Sequence, residues 1–261
     1  MSRALANLRQ SLGDPLLVRT GHLHSLTPLA QSLAETLPDL LQGLDRKLAP
    51  SRFVPATAET SFRVGLLDYE AWVLLPLVAK ALASEAPRVR LDIVGGSAAH
   101  LRHITDGTLD ASIQSPRSPP EGCRRSTLFR EGMLTLFPKV LAPLTLERFT
   151  SVGHVAVSTP DSDRSTIDLA LEERGLARVI RIKVPYFAAA FRIAATSGTI
   201  YTGPARLMRS MPLPKDMALA PPPLPGLAQS EPVSLYWPER LHHDDANRWL
   251  RNLLRRVTND F

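Results

Sequence analysis

Several polar or basic side chains near the start of the chain carry donors that suit a polyanion. They are Ser2, Arg3, Asn7, Arg9 and Arg19. The fork of an arginine matches the paired acceptors of a guanine edge, and a good pair discriminates between bases by about 1–3 kcal/mol. The alternative is that these arginines are solvated surface charges, since most arginines are. The pattern predicts nucleic-acid contact if one folded element presents these residues together.

A second set of polar and aromatic side chains falls where predicted strands end and helices begin. These residues are Asp68, Tyr69, Gly96, Ser97, Gln114, Ser115, Thr159, Phe187 and Thr202. The carboxyl ends of strands in α/β sheets border a ligand crevice, and helix N-termini there offer free N–H groups to a polar ligand. Each residue alone is more often a plain helix cap or turn former than a ligand contact. Aromatic rings at Tyr69, Phe187 and Phe191 favour a ring-bearing effector.

The sequence contains no arrangement typical of an enzyme or a metal centre. Gly95-Gly96-Ser97 lacks the lysine and the wider glycine spacing of a phosphate loop. In His242-His243-Asp244-Asp245 the adjacent histidines point apart, and one aspartate is expected to cap the last helix. Cys123 has no evident base partner in the sequence. We therefore expect no catalytic residues, no metal and no cofactor.

The first set of residues lies on a predicted helix and hairpin. Leucines recur there at spacings of three and four residues, which predicts one apolar stripe with the polar side chains on or beside the opposite side. Gly13 is expected to end the helix with a positive φ. Residues 16–18 predict a short strand that ends at Arg19, and Gly21 begins a turn back. A basic helix followed by such a hairpin is typical of the second half of a winged helix-turn-helix.

Residues 29–48 continue as a second amphipathic helix of about twenty residues with a narrow leucine stripe. Pro38 lies inside it and should bend it or split it in two. The stripe must be buried, either on the helix's own domain or against the same helix of a second copy. Residues 49–60 hold two prolines and no periodicity, which predicts a hinge.

Strands and helices alternate after the hinge. The first predicted unit has strands at 62–67, 89–94 and 110–114 and helices at 72–83 and 97–106. The second has strands at 134–137, 154–158, 179–184 and 200–201 and helices at 164–174 and 186–195. An irregular proline-rich connection, 211–232, leads to a strand at 233–237 and a last helix at 246–257. This succession predicts parallel sheets with right-handed crossovers.

The residues at both ends of the chain resemble one family. Ser-Arg-Ala-Leu, three residues, Arg, then Leu-Gly-Asp-Pro-Leu-Leu-Val-Arg and Leu-Thr-Pro, across residues 2–28, resembles the DNA-binding region of LysR-type transcriptional regulators. The tail at 235–251 is similar to the C-terminal segment of the subgroup that includes regulators of nodulation and of aromatic catabolism. The resemblance implies that Ser2 and Arg3 open the recognition helix and that Arg19 sits in the wing. It also implies an N-terminal truncation within the motif, through a misplaced start, a fragment or a real loss.

The resemblance further implies a partial winged helix-turn-helix and linker helix, followed by an α/β two-lobed periplasmic-binding-protein-like effector domain. The expected boundaries are 1–28 for the winged helix-turn-helix half, 29–58 for the linker helix and hinge, and 59–261 for the effector-binding domain. Lobe I would comprise 59–134 and 238–261, and lobe II would comprise 135–237. The implied partners are promoter DNA, a small-molecule effector of unknown identity, and further copies in a homodimer or homotetramer formed through the linker helix and the effector domains.

Composition is consistent with this interpretation. The 261 residues, 44% of them hydrophobic, suit about two domains. A net charge of +6 favours an anionic partner, although Arg248, Arg251, Arg255 and Arg256 are expected to be the solvated face of the last helix. A single cysteine excludes an internal disulfide and fits a reducing compartment. Without a signal sequence or an apolar run of about eighteen residues, we expect a soluble cytoplasmic protein with no membrane partner.

The sequence therefore predicts a DNA-binding transcriptional regulator whose promoter binding is modulated by a small-molecule effector in the cleft between two lobes. The alternative is a small-molecule-binding module with a truncated, non-functional DNA reader. An enzyme on this fold is a distant third interpretation.

Overall fold

The computed structural model describes residues 2–20, 23–48, 53–96, 99–115, 118–158, 165–227 and 229–259. The chain separates into two compact units, Met1–Arg52 and Phe53–Phe261, which are described in turn. Within those described ranges, no helix combines the length and apolarity that a bilayer span requires.

The first unit consists of two helices and a hairpin: α1 (Ser2–Leu12), β1 (Leu17–Thr20), β2 (Leu23–Leu26) and α2 (Pro28–Leu48). Helix α1 ends where predicted, because Gly13 takes a φ of 63°. The two strands pair antiparallel, with Arg19 opposite His24. Helix α2 continues through Pro38, so of the two predicted outcomes, a bend or a split, the split does not occur. One proline removes a single backbone hydrogen bond, and the remaining turns of a long helix keep theirs.

A polar network at the base of the hairpin sets the start of α2. The Thr27 hydroxyl donates to Asp14 Oδ1 at 2.7 Å and accepts the Ala30 N–H at 3.1 Å. The same aspartate oxygen accepts the Leu16 N–H at 2.6 Å. Leu16 has a φ of 59°, which is rare for a leucine, and its side chain is buried. This network therefore holds a strained turn and caps a helix at once.

The apolar stripes of both helices are exposed within the described part of this unit. Leu8 and Leu12 of α1 are 51% and 42% exposed. Leu37, Leu40 and Leu41 of α2 are 42%, 59% and 56% exposed. Contiguous exposed apolar surface on a folded element marks a site of interaction with another surface.

The second unit alternates strands and helices as predicted. In chain order its elements are β3 (Ser61–Gly65), α3 (Asp68–Glu85), β4 (Arg90–Val94), α4 (Ala99–Thr105), β5 (Ala111–Gln114), β6 (Cys123–Glu131), β7 (Met133–Pro138), α5 (Leu146–Ser151), β8 (His154–Val157), α6 (Thr166–Glu172), β9 (Ile180–Val184), α7 (Phe187–Ser197), β10 (Ile200–Pro204), α8 (Ala205–Ser210), β11 (Met217–Ala220), β12 (Glu231–Pro238) and α9 (Asp245–Asn259). Short 3-10 turns cover Lys139–Leu141 and Glu239–Leu241.

Two five-stranded sheets form two lobes, which confirms the predicted two-lobed α/β fold. Lobe I has the strand order β4-β3-β5-β12-β6, with β3 parallel to β4 and β5. Lobe II has the order β11-β7-β10-β8-β9, with β8 parallel to β9 and β10. Helix α9 returns to lobe I, where Leu250 and Leu253 share a core with Phe62 and Val64.

Several elements differ from the sequence prediction. The lobe boundary predicted after Trp237 is wrong, because β12 pairs with β5 and β6 and the chain is back in lobe I from Glu231. Residues 211–232 are not irregular throughout, since Met217–Ala220 forms β11 beside β7. No prediction covered β6, α5 or α8. The two helices have six residues each, too few to show a period, and the place of a strand in a sheet depends on partners far away in sequence.

The arginine face of α9 is not wholly solvated. Arg251 is 3% exposed, and its guanidinium lies 4.6 Å from the ring centroid of Trp237. Its Nη2 also donates to the carbonyl of His242 at 2.7 Å. Asp244 caps α9 as predicted, because its Oδ1 accepts the Asn247 N–H at 2.7 Å.

Replacing Thr27 with valine keeps the shape of the side chain and removes both hydroxyl bonds. We expect the free energy of unfolding of the first unit to fall by about 1–2 kcal/mol. Hydrogen exchange of the Leu16 and Ala30 amides, followed by NMR, measures this locally. The control is Thr36→Val, because the exposed Thr36 hydroxyl bonds, among the residues that the structure describes, to the Ser32 carbonyl of its own helix. Equal acceleration of exchange in both variants would contradict the capping role.

Candidate functional site

A cleft opens between the two lobes, beside the segment where the chain crosses from β6 to β7. Its volume is about 590 Å³, and both crossing connections border it, at Gly132 and at Glu231. Small-molecule pockets typically span about 300–1,000 Å³. The cleft therefore has the size and the position of a ligand site.

Most of the predicted effector residues meet at this cleft. Those that line it are Tyr69, Gln114, Ser115, Phe187 and Thr202. Gly96 is exposed and does not line the described cleft wall. Asp68 lies just outside the cleft wall and contacts the other lobe. Ser97 and Thr159 lie outside the described residues.

Asp68 and Tyr69, at the start of α3, attach lobe I to lobe II. Asp68 Oδ2 accepts the Ala188 N–H at 3.0 Å, in the first turn of α7, where the helix dipole favours a carboxylate. Tyr69 is 5% exposed and packs into the lobe II core that contains Phe191. Its ring centroid lies 5.1 Å from that of Phe187. Lobe I thus contributes a side chain to the core of lobe II.

The lobe II wall contains a partly buried ion pair, with a buried arginine, that the sequence analysis missed. Arg178 Nε donates to Asp168 Oδ1 at 2.7 Å, and Arg178 Nη2 donates to Ser165 Oγ at 3.0 Å. Desolvation raises the pKa of Asp168, but hydrogen bonds from Arg178 and Ser165 outweigh it and hold that pKa below its usual value. Ser165 also caps α6, and its spacing to Asp168 was readable as a capping box. No sequence pattern around Arg178 indicates that it pairs with Asp168.

His154 lies behind Arg178 and is fully buried. Its Nε2 is 2.7 Å from the Phe149 carbonyl, which assigns the proton to that nitrogen. Its Nδ1 lies 3.5 Å from Arg178 Nη1. Burial lowers the pKa of His154 to about 4, so the imidazole is neutral at pH 7.

The cleft also contains a buried donor without a partner. Gln114, at the end of β5, is 4% exposed, and its Nε2 has no hydrogen-bond partner among the described residues. An unsatisfied buried donor costs about 1–3 kcal/mol. The neighbouring hydroxyls of Thr135 and Thr202 satisfy each other at 2.9 Å. The Gln114 Nε2 is therefore a buried donor that no described protein group satisfies.

Two buried carboxyl groups lie near the crossing segment. Burial raises the pKa of Glu70 to about 8, and its Oε2 accepts the Leu67 N–H at 2.8 Å. Burial also raises the pKa of Glu131, whose Oε2 lies 3.4 Å from Arg206 Nη1. At pH 7 Glu70 is therefore largely protonated, and Glu131 faces a cation. Neither carboxyl presents an uncompensated negative charge to the cleft.

The predicted nucleic-acid residues lie on the first unit. The exposed ones on α1 and β1 are Arg3, Asn7, Arg9 and Arg19. Arg9 Nε donates to the Pro15 carbonyl at 2.6 Å, which ties the helix to the turn after it. Ser2 begins α1, but its side chain lies outside what the structure describes.

Comparisons with known proteins all point to the same family of transcriptional regulators. The LysR substrate binding domain family matches residues 56–259. The HTH-type transcriptional activator NahR of Pseudomonas putida is 32% identical over 262 residues, covering 97% of this chain and 86% of NahR. Nodulation protein D of Bradyrhizobium sp. (strain ANU 289) is 29% identical over 260 residues, covering 97% of this chain and 76% of that protein.

One solved structure has a sequence identity close to that of the two relatives above. The probable transcriptional regulator PA0477 from Pseudomonas aeruginosa has a TM-score of 0.70 at 28% identity, covering 97% of this chain and 85% of that one. NahR and PA0477 are both named as transcription proteins and not as enzymes, which supports the non-enzyme prediction.

Lowering the pH from 7 to 4 should destabilise the fold through His154. The imidazole binds a proton near pH 6.5 when unfolded and near pH 4 when folded, so the unfolded state binds more protons between these values. Urea unfolding of the wild type and of His154→Gln measures the effect. The stability advantage of the wild type should shrink as the pH falls. Protonation of Glu70 stabilises the fold as the pH falls, but it does so equally in the wild type and in His154→Gln and cancels in their difference. A wild-type stability advantage that stays constant between pH 7 and 4 would therefore contradict the prediction.

Replacing Gln114 with leucine removes an unpaired buried donor at nearly constant volume. We expect the free energy of unfolding to rise by about 1 kcal/mol in urea denaturation. Gln229→Leu makes the same change at an exposed glutamine of the same cleft and should stay within about 0.5 kcal/mol of wild type. A loss of stability in Gln114→Leu would show that the protein itself satisfies this amide.

Proposed function

Because the chain belongs to the LysR family of transcriptional regulators, we propose that it binds promoter DNA and that a small molecule in the interlobe cleft modulates this binding. The observation that carries the proposal is the cleft itself. Residues from both lobes line it, and Asp68 and Tyr69 join the lobes beside it. A ligand held there contacts both lobes at once.

The cleft favours an effector with a mostly apolar body and at least one acceptor oxygen. Its buried charges are already compensated, since Arg178 pairs with Asp168 and Glu131 with Arg206. The Gln114 amide is the unpaired donor, and Met133, Phe187 and other apolar side chains supply the walls. That nitrogen is buried, so an effector oxygen would reach it only after the side chains around it move.

The effector would act by population shift. A ligand that binds one lobe arrangement better than another favours that arrangement by no more than its difference in affinity, typically about 1–3 kcal/mol. The contacts that would change are those of Asp68 with Ala188 and of Tyr69 with Phe187, because they span the two lobes.

DNA binding is assigned to α1 and the hairpin of the first unit. Arg3 and Asn7 are exposed near the start of α1, and Arg19 is exposed on β1. A helix N-terminus in the major groove with a basic hairpin beside it is the geometry of winged helix-turn-helix proteins. The relative NahR is named as an HTH-type activator, which supports this assignment.

We assign the contact with a second copy of the chain to helix α2. Its leucines Leu37, Leu40 and Leu41 form an exposed stripe, and the same helix of a second copy would bury it. Such a homodimer would also set the spacing of two DNA readers along a duplex. Contacts between effector domains could extend the dimer to a tetramer.

One observation favours the alternative, a small-molecule-binding module without a working DNA reader. Leu8 and Leu12 of α1 are half-exposed within the described structure. A reading helix must be held rigidly by the packing of its apolar face, and these leucines lack such packing in the described part of the chain. The two functions are separated by direct DNA titration.

Replacing Arg3 with alanine should weaken specific DNA binding by about 1–3 kcal/mol, because a base-edge or phosphate contact is lost. The measurement is fluorescence anisotropy with a duplex that the protein selects from a random pool. Gln10→Ala is the matched control, because it changes an exposed residue of the same helix without changing charge. Equal affinity of the two variants would count against α1 as the reading helix.

The salt dependence of the same titration tests the function itself. Phosphate contacts release counterions, so the wild-type affinity should fall steeply as salt is raised. If the protein selects no duplex even at low salt, the proposed regulation of DNA binding is wrong, and retained binding of a small molecule would then favour the alternative module.

A further inference from the structure

A second cavity borders the crossing segment but is separate from the cleft. Its volume is about 920 Å³, and its walls come from α3 of lobe I and α8 of lobe II, together with residues 130–134. Val73, Pro76, Leu134 and Pro221 give it an apolar floor. We call this cavity the α3–α8 groove. None of the predicted effector residues that the structure describes lines this groove, and the family comparison gives it no role.

Trp72 presents a fixed aromatic face in this groove. Its side chain is 49% exposed, although tryptophan is a large apolar residue that usually packs against protein. Its Nε1 donates to Ser210 Oγ of α8 at 3.1 Å, which holds the indole in one orientation across the two lobes. A fixed and half-exposed indole is a ready stacking surface for a planar ring.

The charge in the groove is unbalanced. Three arginines line it, Arg130, Arg206 and Arg209, against the single carboxylate of Glu131. Arg206 pairs with that carboxylate, while Arg130 bonds to Ser230, which is neutral. In the described part of the chain Arg209 has no hydrogen bond or ion pair, and its side chain is exposed. Two guanidinium groups therefore have no anionic partner there.

We propose that the α3–α8 groove binds a small organic anion that carries a planar ring. The ring stacks on Trp72, and the acid group pairs with Arg209, the residue directly before the serine that holds the indole. A carboxylate suits the planar guanidinium because two parallel N–H bonds can form. The apolar floor accepts the rest of the ring.

Such a ligand would also bridge the lobes, since Trp72 belongs to lobe I and Arg209 to lobe II. It would favour lobe arrangements that keep α3 and α8 together. Only this regulatory consequence rests on the proposed function; binding itself does not.

Fluorine NMR of protein labelled with 5-fluorotryptophan locates the binding directly. The chain has three tryptophans, and Trp72→Phe identifies the Trp72 signal. Trp237 is buried, and Trp249 packs between Phe53 and Phe62 of the lobe I core. Benzoate is the probe, because it combines a planar ring with a carboxylate. Titration should shift the Trp72 signal with saturation and leave the other two signals unchanged.

The variants test each part of the proposal. Arg209→Gln should weaken benzoate binding about tenfold, because a charge-assisted bond is lost. Arg192→Gln, the same change at an exposed arginine of α7 that does not line the groove, should leave the affinity unchanged. Benzyl alcohol, which has the ring without the charge, should bind more weakly than benzoate.

Three results would overturn the proposal. In the first, benzoate does not move the Trp72 signal. In the second, Arg209→Gln and Arg192→Gln bind benzoate equally. In the third, Gln114→Leu abolishes the Trp72 shift, which would mean that benzoate sits in the cleft and acts on the indole at a distance. Loss of DNA selection would leave these results unaffected, so failure of the proposed function is distinguishable.

Discussion

The insertion of Tyr69 from lobe I into the core of lobe II determines the geometry of the interlobe surface. Tyr69 is buried among lobe II side chains, and the adjacent Asp68 accepts a backbone N–H of α7. Burial of an aromatic side chain of this kind stabilises by about 1.5–3 kcal/mol. That is enough to favour one lobe arrangement and small enough for a ligand to compete with. Under the proposed function, this contact is one that an effector in the cleft could strengthen or weaken.

Charge pairing distinguishes the two cavities at the lobe boundary. In the cleft the charged side chains pair within the protein, Arg178 with Asp168 and Glu131 with Arg206, and an amide is left as the free donor. In the α3–α8 groove the charge of Arg209 has no partner within the described chain. The paired charges of the cleft favour a ligand of low charge, whereas the unpaired guanidinium of Arg209 supports the proposed anion in the groove.

The first unit depends on a local polar network rather than on a core. Asp14 and Thr27 hold the positive φ of Leu16 and cap α2. Its leucine stripes stay exposed among the described residues, so packing of these leucines contributes little to the stability of α1 and α2 there. The turns of this unit are thus specified internally, and the exposed stripe of α2 is the surface that the proposed homodimer would bury.

The amino-acid sequence by itself determined the features whose causes lie within a few residues. Gly13 ends α1, Asp244 caps α9, and alternating strands and helices specify two α/β lobes. It also placed Gln114 and Tyr69 at strand ends, which brought them to the cleft. Only the tertiary structure decided that β12 belongs to lobe I, that Arg178 pairs with Asp168, and that Arg251 is buried on Trp237. Strand pairing, ion pairing and burial depend on which distant segments meet in space, and no local pattern of residue types records that.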